Sequence, residues 1–309
     1  MHPVAESPPL ADARQADARQ ADAGLVDAHH HVWDLTVREQ PWLDLPGHEP
    51  LRRTFAEADL RTQAAAAGVT ATVVVQTVIE ASETPDLLAL AAESDLIAGV
   101  VGWVDLESAG TGDALATLRA RPDGGWLRGI RHPVLVEADP DWLQRPAVLR
   151  GLAAVAQAGL CYDIVGRPDH LPAAAAAAAA LPGLTFVLDH LGNPDIGPRV
   201  DEQWAHAVRQ LAGLPNTVCK LSGILSEPPP DSDHIPASTG LAHLVPYYET
   251  VLSAFGPERL MFGSDWPVCT LSGSYGTVVD AARALTAGLA PTERAAVLGG
   301  TARRIYQLT

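Results

Sequence analysis

The chain has 309 residues, of which 47% are hydrophobic and 19% are charged, and this composition supplies enough apolar surface for a full core. A wholly disordered chain is therefore excluded. No uninterrupted apolar run reaches the ~18 residues of a membrane span, and the N-terminus lacks the basic start and apolar centre of a secretory signal, so we predict a cytoplasmic protein without a membrane partner. The 37 acidic and 21 basic residues give a formal net charge of -16, which predicts that the protein does not bind nucleic acid.

Residues 1–24 contain the imperfect repeat ADARQADARQADA, which offers alanine but no large apolar side chain to bury. We predict a disordered or loosely helical arm over this segment, followed by a single domain over residues 25–309. The three cysteines, Cys161, Cys219 and Cys269, are odd in number and widely spaced, which predicts free thiols rather than disulfides or a thiolate zinc site.

From residue 25 onward, short β-rich runs alternate with Ala- and Leu-rich stretches of helical length, as in βα units around a parallel sheet. The predicted strands are 25–28, 71–76, 97–104, 127–130, 160–165, 184–188, 217–221 and 260–263. The predicted helices include 56–67, 84–94, 112–120, 146–158, 169–181, 200–212 and 241–255, and Gly68, Gly159 and Gly256 stand where a helix end requires positive φ. Eight strand–helix pairs predict an α/β fold, a (β/α)8 TIM barrel, rather than a doubly wound sheet, whose phosphate loop G-x-G-x-x-G is missing.

In such a barrel the reacting groups follow the carboxyl ends of the strands. Polar and aromatic residues stand at all eight predicted strand ends: Asp27 with His29, His30 and His31, then Gln76, Trp103 with Asp105, Arg131 with His132, Tyr162 with Asp163, Asp189 with His190, Lys220 with Ser222, and Asp265 with Trp266. We predict that Gln76, Trp103, Arg131, His132, Tyr162, Lys220 and Trp266 bind the substrate.

Alternate side chains of an extended segment point the same way, so His29 and His31 are expected to converge while His30 faces elsewhere. Catalytic zinc commonly takes three protein ligands and one water, and His190 or Asp265 could complete this set. The alternative is that these histidines only form hydrogen bonds at the barrel mouth. Four aligned candidates from three strand ends favour a catalytic centre.

Three further residues have two interpretations each. Asp265 can accept a proton from water as a general base, or it can cap a turn. Lys220, the only lysine of the chain, needs an anionic partner, and a structural salt bridge and a substrate contact remain equally open. Arg131 has a planar guanidinium suited to a carboxylate or ester oxygen, with a surface ion pair as the alternative.

The strings VDAHHHVWDL, VVVQT, GVVGWVDL, LRGIRHP, FVLDHLGNP, CKLSGI and FGSDWPVC occur in this order from about residue 25 onward. Together they resemble the sugar-lactonase branch of the amidohydrolase superfamily, typified by L-fuconolactonase. The resemblance implies a barrel that hydrolyses sugar-acid lactones, with His29, His31, His190 and Asp265 at the reaction centre.

The sequence also departs from patterns within that superfamily. Binuclear members carry a bridging Lys or Glu after strand four and a His after strand five, whereas this chain has Arg131–His132 and Tyr162–Asp163 there. This difference argues against two metal ions. The resemblance leaves one divalent ion or none, and we expect zinc on His29, His31 and either Asp265 or His190. His30 stands where the branch usually has Gln.

These observations predict a lactonase that opens a small polar lactone, such as an aldonolactone, to its hydroxy acid. Asp265 would deprotonate water, and the three histidines would polarise the carbonyl, directly or through one metal ion. One alternative is decarboxylation of an aromatic or unsaturated acid anchored by Arg131. Another is a barrel that binds a metabolite without turnover, and assembly into a homo-oligomer remains open.

Overall fold

A computed structural model describes residues 24–223 and 237–308. Its strands are β1 Leu25–His30, β2 Val69–Val75, β3 Ile97–Gly102, β4 Leu127–Pro133, β5 Cys161–Val165, β6 Phe186–Leu188, β7 Thr217–Leu221 and β8 Leu260–Phe262. Its α-helices are α1 Glu57–Ala67, α2 Glu83–Glu93, α3 Thr111–Arg119, α4 Pro146–Gln157, α5 Leu171–Ala180, α6 Glu202–Ala212, α7 Ala237–Phe255, α8 Tyr275–Leu285, α9 Pro291–Ala295 and α10 Thr301–Ile305. Apart from Gly24, the predicted arm lies outside the described residues.

The eight strands pair in parallel in the order in which they occur along the chain. Beyond the end of β8, the N–H of Asp265 donates to the carbonyl of His29 at 2.8 Å, and the N–H of His31 donates to the carbonyl of Trp266 at 2.6 Å. These two bonds join the last strand to the first. The (β/α)8 barrel is therefore confirmed, with α1 to α7 in the seven connections between successive strands.

The seam between β1 and β8 is also held by one buried carboxylate. Asp27 accepts hydrogen bonds from Ser264 N at 2.8 Å, Ser264 Oγ at 2.6 Å, Tyr275 Oη at 3.1 Å and His29 N at 3.1 Å. Four donors satisfy a group whose burial would otherwise be costly. Asp27 thus fixes the strand ends that carry the candidate site.

The core consists of two layers. Small and β-branched side chains such as Val26, Val73 and Val218 fill the barrel interior, together with Tyr306 from the C-terminal segment. Larger aromatic and aliphatic side chains fill the space between sheet and helices.

All three glycines predicted at helix ends have positive φ, as expected. Within the described residues, no helix has the length and apolar character needed to cross a membrane.

Half of the strand boundaries coincide with the predicted ones, and the others differ by one to three residues. The largest extension is in β4, which continues through Pro133 because its last three residues stay paired with Asp163, Ile164 and Val165 of β5. Polar side chains do not end these strands, because the barrel interior provides partners for them. Arg131, which lies just after the predicted strand 127–130, accordingly belongs to β4 itself.

Candidate active site

Three of the predicted catalytic side chains converge at the carboxyl end of β1. The Nε2 atoms of His29 and His31 lie 3.2 Å apart. Asp265 Oδ1 lies 3.7 Å from Nε2 of His29 and 3.5 Å from Nε2 of His31. His30 points elsewhere, and its Nε2 lies 3.0 Å from Thr72 Oγ1. The predicted convergence of His29 and His31 is therefore confirmed.

A bulge in β1 sets this arrangement. Asp27 pairs with Thr72 while His30 pairs with Val74, so β1 contains one residue more than β2 between these points. Bulges re-aim side chains and are frequent next to active sites. As a result, Asp27 contacts Ser264 at the seam while His29, two positions later, faces the barrel interior.

His190 approaches the cluster from the end of β6. Its ring centroid lies 4.6 Å from that of His29, and its Nδ1 lies 2.9 Å from Ser222 Oγ. Ser222 thus fixes the ring through Nδ1, and Nε2 is the nitrogen left to face a substrate. Both His190 and Asp265 have left-handed backbone conformations, with φ of 53° and 59°. Non-glycine residues with positive φ are uncommon and cluster at functional sites.

The pKa values of His190 and Asp265 are both lowered, for different reasons. Burial lowers the pKa of His190, although the charge of Asp265 opposes this. Burial raises the pKa of Asp265, but His190 and His31 outweigh it, and the net shift lies below the ordinary value. Asp265 is therefore a carboxylate at neutral pH, when it can accept a proton.

Arg131 joins the cluster from β4. Its Nη1 donates to Asp189 Oδ2 at 3.2 Å and lies 3.3 Å from His29 Nε2. Its Nη2 donates to the carbonyl and the side-chain Oε1 of Gln76 at 2.5 and 3.0 Å. Gln76 and Arg131 are thus brought to the site as predicted, with Gln76 holding the guanidinium in place.

Lys220 lies deeper in the barrel and has no exposure to solvent. Its Nζ is 2.7 Å from Asp163 Oδ2, 3.0 Å from Asp189 Oδ1 and 3.2 Å from His29 Nδ1. The phenol of Tyr306 donates to the same oxygen of Asp163 at 2.6 Å. Of the two interpretations of Lys220, the structural salt bridge is the one that these contacts support. Substrate contact is not supported.

Sequence reasoning placed Asp163 and Asp189 at strand ends but gave them no role in the site, and it did not consider Tyr306. The two aspartates could have been recognised, because each occupies an inward position at the end of an apolar strand and the lone lysine needs an anion. Tyr306 carries no comparable signal. It follows α10 near the C-terminus, far in sequence from any strand, and yet its side chain lies in the barrel interior.

Four other predicted substrate contacts lie apart from the cluster. Tyr162 has its ring edge-on to Phe186 in the layer outside the sheet, because adjacent Asp163 occupies the inward position. Trp266 is 1% exposed and packs edge-on against Phe55. Substrate contact by Tyr162 or Trp266 is therefore corrected to a packing role.

The remaining two residues predicted to contact the substrate, Trp103 and His132, are hydrogen-bonded to each other. Trp103 Nε1 donates to His132 Nδ1 at 3.1 Å, and His132 Nε2 lies 2.9 Å from Glu137 Oε1. The His132 ring also stacks on Trp142 at a centroid distance of 4.2 Å. These contacts fix His132 in the wall beside the mouth, whereas Trp103 remains half-buried.

The side chains of His29, His31 and Asp265 fit a single divalent metal ion. In a tetrahedral zinc site with bonds of about 2.0–2.1 Å, neighbouring ligand atoms lie about 3.3–3.4 Å apart. The three separations among His29 Nε2, His31 Nε2 and Asp265 Oδ1 are 3.2, 3.5 and 3.7 Å. His31 Nδ1 donates to the carbonyl of Val75 at 2.8 Å, so in the neutral ring the lone pair is on Nε2. His29, Asp189 and His190 form a second potential group that shares His29.

Replacing His30 by Gln is expected to make the protein less sensitive to acid. Burial, followed by the charge of His31, lowers the pKa of His30 to about 3 from an ordinary value of 6.5. Between these values the unfolded state binds a proton that the folded state does not, so stability falls as pH falls below 6.5. Because of His30, the free energy of unfolding should fall by about 2 kcal/mol from pH 7 to pH 5.

Urea unfolding of wild type and His30→Gln at pH 7 and pH 5, both with chelator present, measures this difference. The other buried histidines are common to both proteins and cancel. Equal losses of unfolding free energy in the two proteins would rule out His30 as a source of acid sensitivity.

Gly263 permits the close approach of β8 to His29. A Cβ at this position would lie 2.7 Å from the Cβ of His29 and 3.1 Å from that of Ser222. We expect Gly263→Ala to lower the unfolding free energy by about 1–3 kcal/mol and to reduce kcat by displacing His29. Gly112→Ala on α3, where nothing lies within 4 Å of an added Cβ, should leave both unchanged or slightly stabilise the protein. Wild-type stability and kcat in Gly263→Ala would contradict the proposed crowding.

Comparison with known proteins agrees with this geometry. Residues 26–308 match the amidohydrolase family. The L-fucono-1,5-lactonase of Burkholderia ambifaria is 36% identical over 289 residues, covering 92% of this chain and 95% of its own. The structure of an amidohydrolase from Burkholderia multivorans with bound zinc superposes with a TM-score of 0.84 at 35% identity, over 92% of this chain and 99% of the other. A 5-carboxyvanillate decarboxylase from Sphingomonas paucimobilis, 16% identical with a TM-score of 0.60 over 92% and 99% of the two chains, shares the fold. With its barrel and this match over nearly its whole length, the chain belongs to the amidohydrolase family.

Proposed function

We propose that this protein hydrolyses a sugar lactone to its hydroxy acid at the mouth of the barrel. The observation that carries this proposal is the convergence of His29, His31 and ionised Asp265 within 3.7 Å of one another, with His190 beside them. The 36% identity to L-fucono-1,5-lactonases over 92% of the chain supports a lactone as substrate. A panel of aldonolactones that begins with L-fucono-1,5-lactone defines the test.

In the proposed mechanism, Asp265 takes a proton from the attacking water. His190, oriented by Ser222, lies beside His29 and can donate a hydrogen bond to the carbonyl oxygen through Nε2. Arg131 adds a buried positive charge, and its Nε has no hydrogen-bond partner among the described residues. This guanidinium can stabilise the oxyanion of the tetrahedral intermediate.

A single zinc ion fits the same centre, and His29, His31 and Asp265 would hold it. When bound, it would act as a Lewis acid toward the lactone carbonyl and lower the pKa of a bound water. The bound zinc in the Burkholderia multivorans structure supports this choice of ion.

The charge distribution favours a lactone over an acid anchored by Arg131. Arg131 is already paired with Asp189, and Lys220 is paired with Asp163 and Asp189. Asp265 raises the number of buried carboxylates in the site to three, against two cations. A substrate carboxylate would have to displace Asp189 from a buried ion pair, which is costly. The decarboxylase that shares this fold is 16% identical and lends no support to decarboxylation here.

The test measures acid release from the lactone panel with a pH indicator, and carbon dioxide release from aromatic and unsaturated acids in parallel. We expect acid release from at least one lactone and no carbon dioxide. Carbon dioxide without lactone opening would favour the decarboxylase. Tight binding of a lactone by thermal shift, with no turnover by a folded protein, would favour a barrel that only binds a metabolite.

A further inference from the structure

The Nδ1 atom of His29 has a buried donor and a buried acceptor beside it. Lys220 Nζ lies 3.2 Å away, and Asp189 Oδ1 lies 3.4 Å away. Lysine can only donate a hydrogen bond, and a carboxylate can only accept one. The partner that His29 uses therefore decides whether Nε2, which faces His31 and Asp265, carries a hydrogen or a lone pair.

Lys220 does not need His29 as a partner. Its ammonium has Asp163 Oδ2 at 2.7 Å and Asp189 Oδ1 at 3.0 Å, and both contacts are shorter than the one to His29. Both are also contacts between opposite charges, which are stronger than one to a neutral ring. Tyr306 donates to Asp163 and holds that carboxylate under the ammonium. Lys220 therefore keeps its two charged partners even if His29 does not accept a hydrogen bond from it.

Asp189 has the greater need. It is 0% exposed, and its Oδ1 has one ion-pair partner, Lys220 Nζ at 3.0 Å, so its other lone pair needs a second donor, and His29 Nδ1 lies 3.4 Å away. A guanidinium can only donate, so Arg131 Nη1, which lies 3.3 Å from His29 Nε2, favours a lone pair on that nitrogen. The balance of partners places the His29 hydrogen on Nδ1.

We propose that Asp189 is a positioning residue, which accepts the Nδ1 hydrogen of His29 and so turns the Nε2 lone pair of His29 toward the reaction centre. Lys220, held by Asp163, supplies the counter-charge for this carboxylate. Pairs of this kind fix the tautomer and orientation of a metal-binding histidine and raise its basicity. The effect on turnover rests on the proposed function, whereas the tautomer exists without substrate.

The tautomer is measured directly in wild type by nitrogen-15 NMR of histidine-labelled protein, in the metal-free and zinc-loaded forms. The couplings of ring carbon-bound hydrogens to each nitrogen show which nitrogen carries the hydrogen. We expect His29 to be protonated on Nδ1 in both forms. Protonation on Nε2 in either form would overturn the proposal, and this readout needs neither a variant nor activity.

Asp189→Asn tests the consequence. Loss of the carboxylate should weaken zinc binding by about 10–100-fold in competition with a chelator, and should lower kcat more than it raises KM. The matched comparison is Asp163→Asn, which makes the same substitution on the other side of Lys220 and should weaken zinc binding less than Asp189→Asn, because Asp189 can still accept from His29. Melting temperatures show whether both variants are folded.

Equal weakening of zinc binding in the two variants would mean that only the charge balance of the barrel matters, and it would overturn the role of Asp189. Unchanged zinc affinity in Asp189→Asn would do the same. If Asp189→Asn does not fold, the wild-type tautomer decides the question. A wild-type protein that shows the Nδ1 hydrogen but opens no lactone would refute the proposed function and leave the positioning role intact.

Discussion

Asp265→Asn is expected to lower kcat by about 10²–10⁴-fold while the protein remains folded, because an amide cannot take up the proton of the attacking water. The fold should survive for two reasons. Asn has nearly the same volume as Asp, and both residues are enriched at positive φ, which is 59° at this position. Asn also caps turns about as well as Asp, so a purely structural Asp265 would leave activity nearly unchanged.

The measurement compares kcat and the melting temperature of Asp265→Asn with those of wild type on whichever lactone is opened. Asp201→Asn provides a matched control, because Asp201 caps α6 by accepting from the N–H groups of Gln203 and Trp204 and lies outside the cluster. The control should keep wild-type kcat. If Asp265→Asn keeps more than about a third of wild-type kcat, Asp265 is not the general base.

Removal of the metal ion should lower kcat about as much as Asp265→Asn does. Lewis-acid activation is worth several kcal/mol, and each 1.4 kcal/mol corresponds to a factor of ten, so chelation should reduce kcat by about 10²–10⁴-fold. Zinc added back should restore it. Elemental analysis should find at most one divalent ion per chain, since the two potential groups share His29.

Two results would contradict this expectation. Two ions per chain would refute the limit of one. Full activity after complete removal of the metal would show that Asp265, His190 and Arg131 act without a metal ion, and the zinc assignment would then be withdrawn.

Much of the architecture follows from local sequence patterns. The β-rich runs and intervening helical stretches predict all eight strands, and the alternation of an extended segment predicts that His29 and His31 meet. The same alternation, applied to β5, would have shown that Tyr162 and Asp163 face opposite sides of the sheet. Asp163 is the one that lies inward, beside Lys220.

Other features of the site depend on tertiary structure and were not predictable. The bulge between Asp27 and His30 changes which side chains share a face, and the sequence of β1 contains no glycine or proline to mark it. The positive φ of Asp265 and His190 also has no distinctive local signal. The partner of Lys220 depends on which strands are neighbours in the closed barrel, so the choice between salt bridge and substrate contact remained open at the sequence level.

The central claim is that water activated by Asp265 attacks the carbonyl carbon of a lactone at the barrel mouth. Turnover of an aldonolactone in oxygen-18 water, followed by mass spectrometry of the product, tests it most directly. We predict one oxygen-18 atom in the carboxylate of each product molecule, and none in the hydroxyl released from the ring. Label in that hydroxyl, or the absence of labelled product from a folded protein, would contradict the claim.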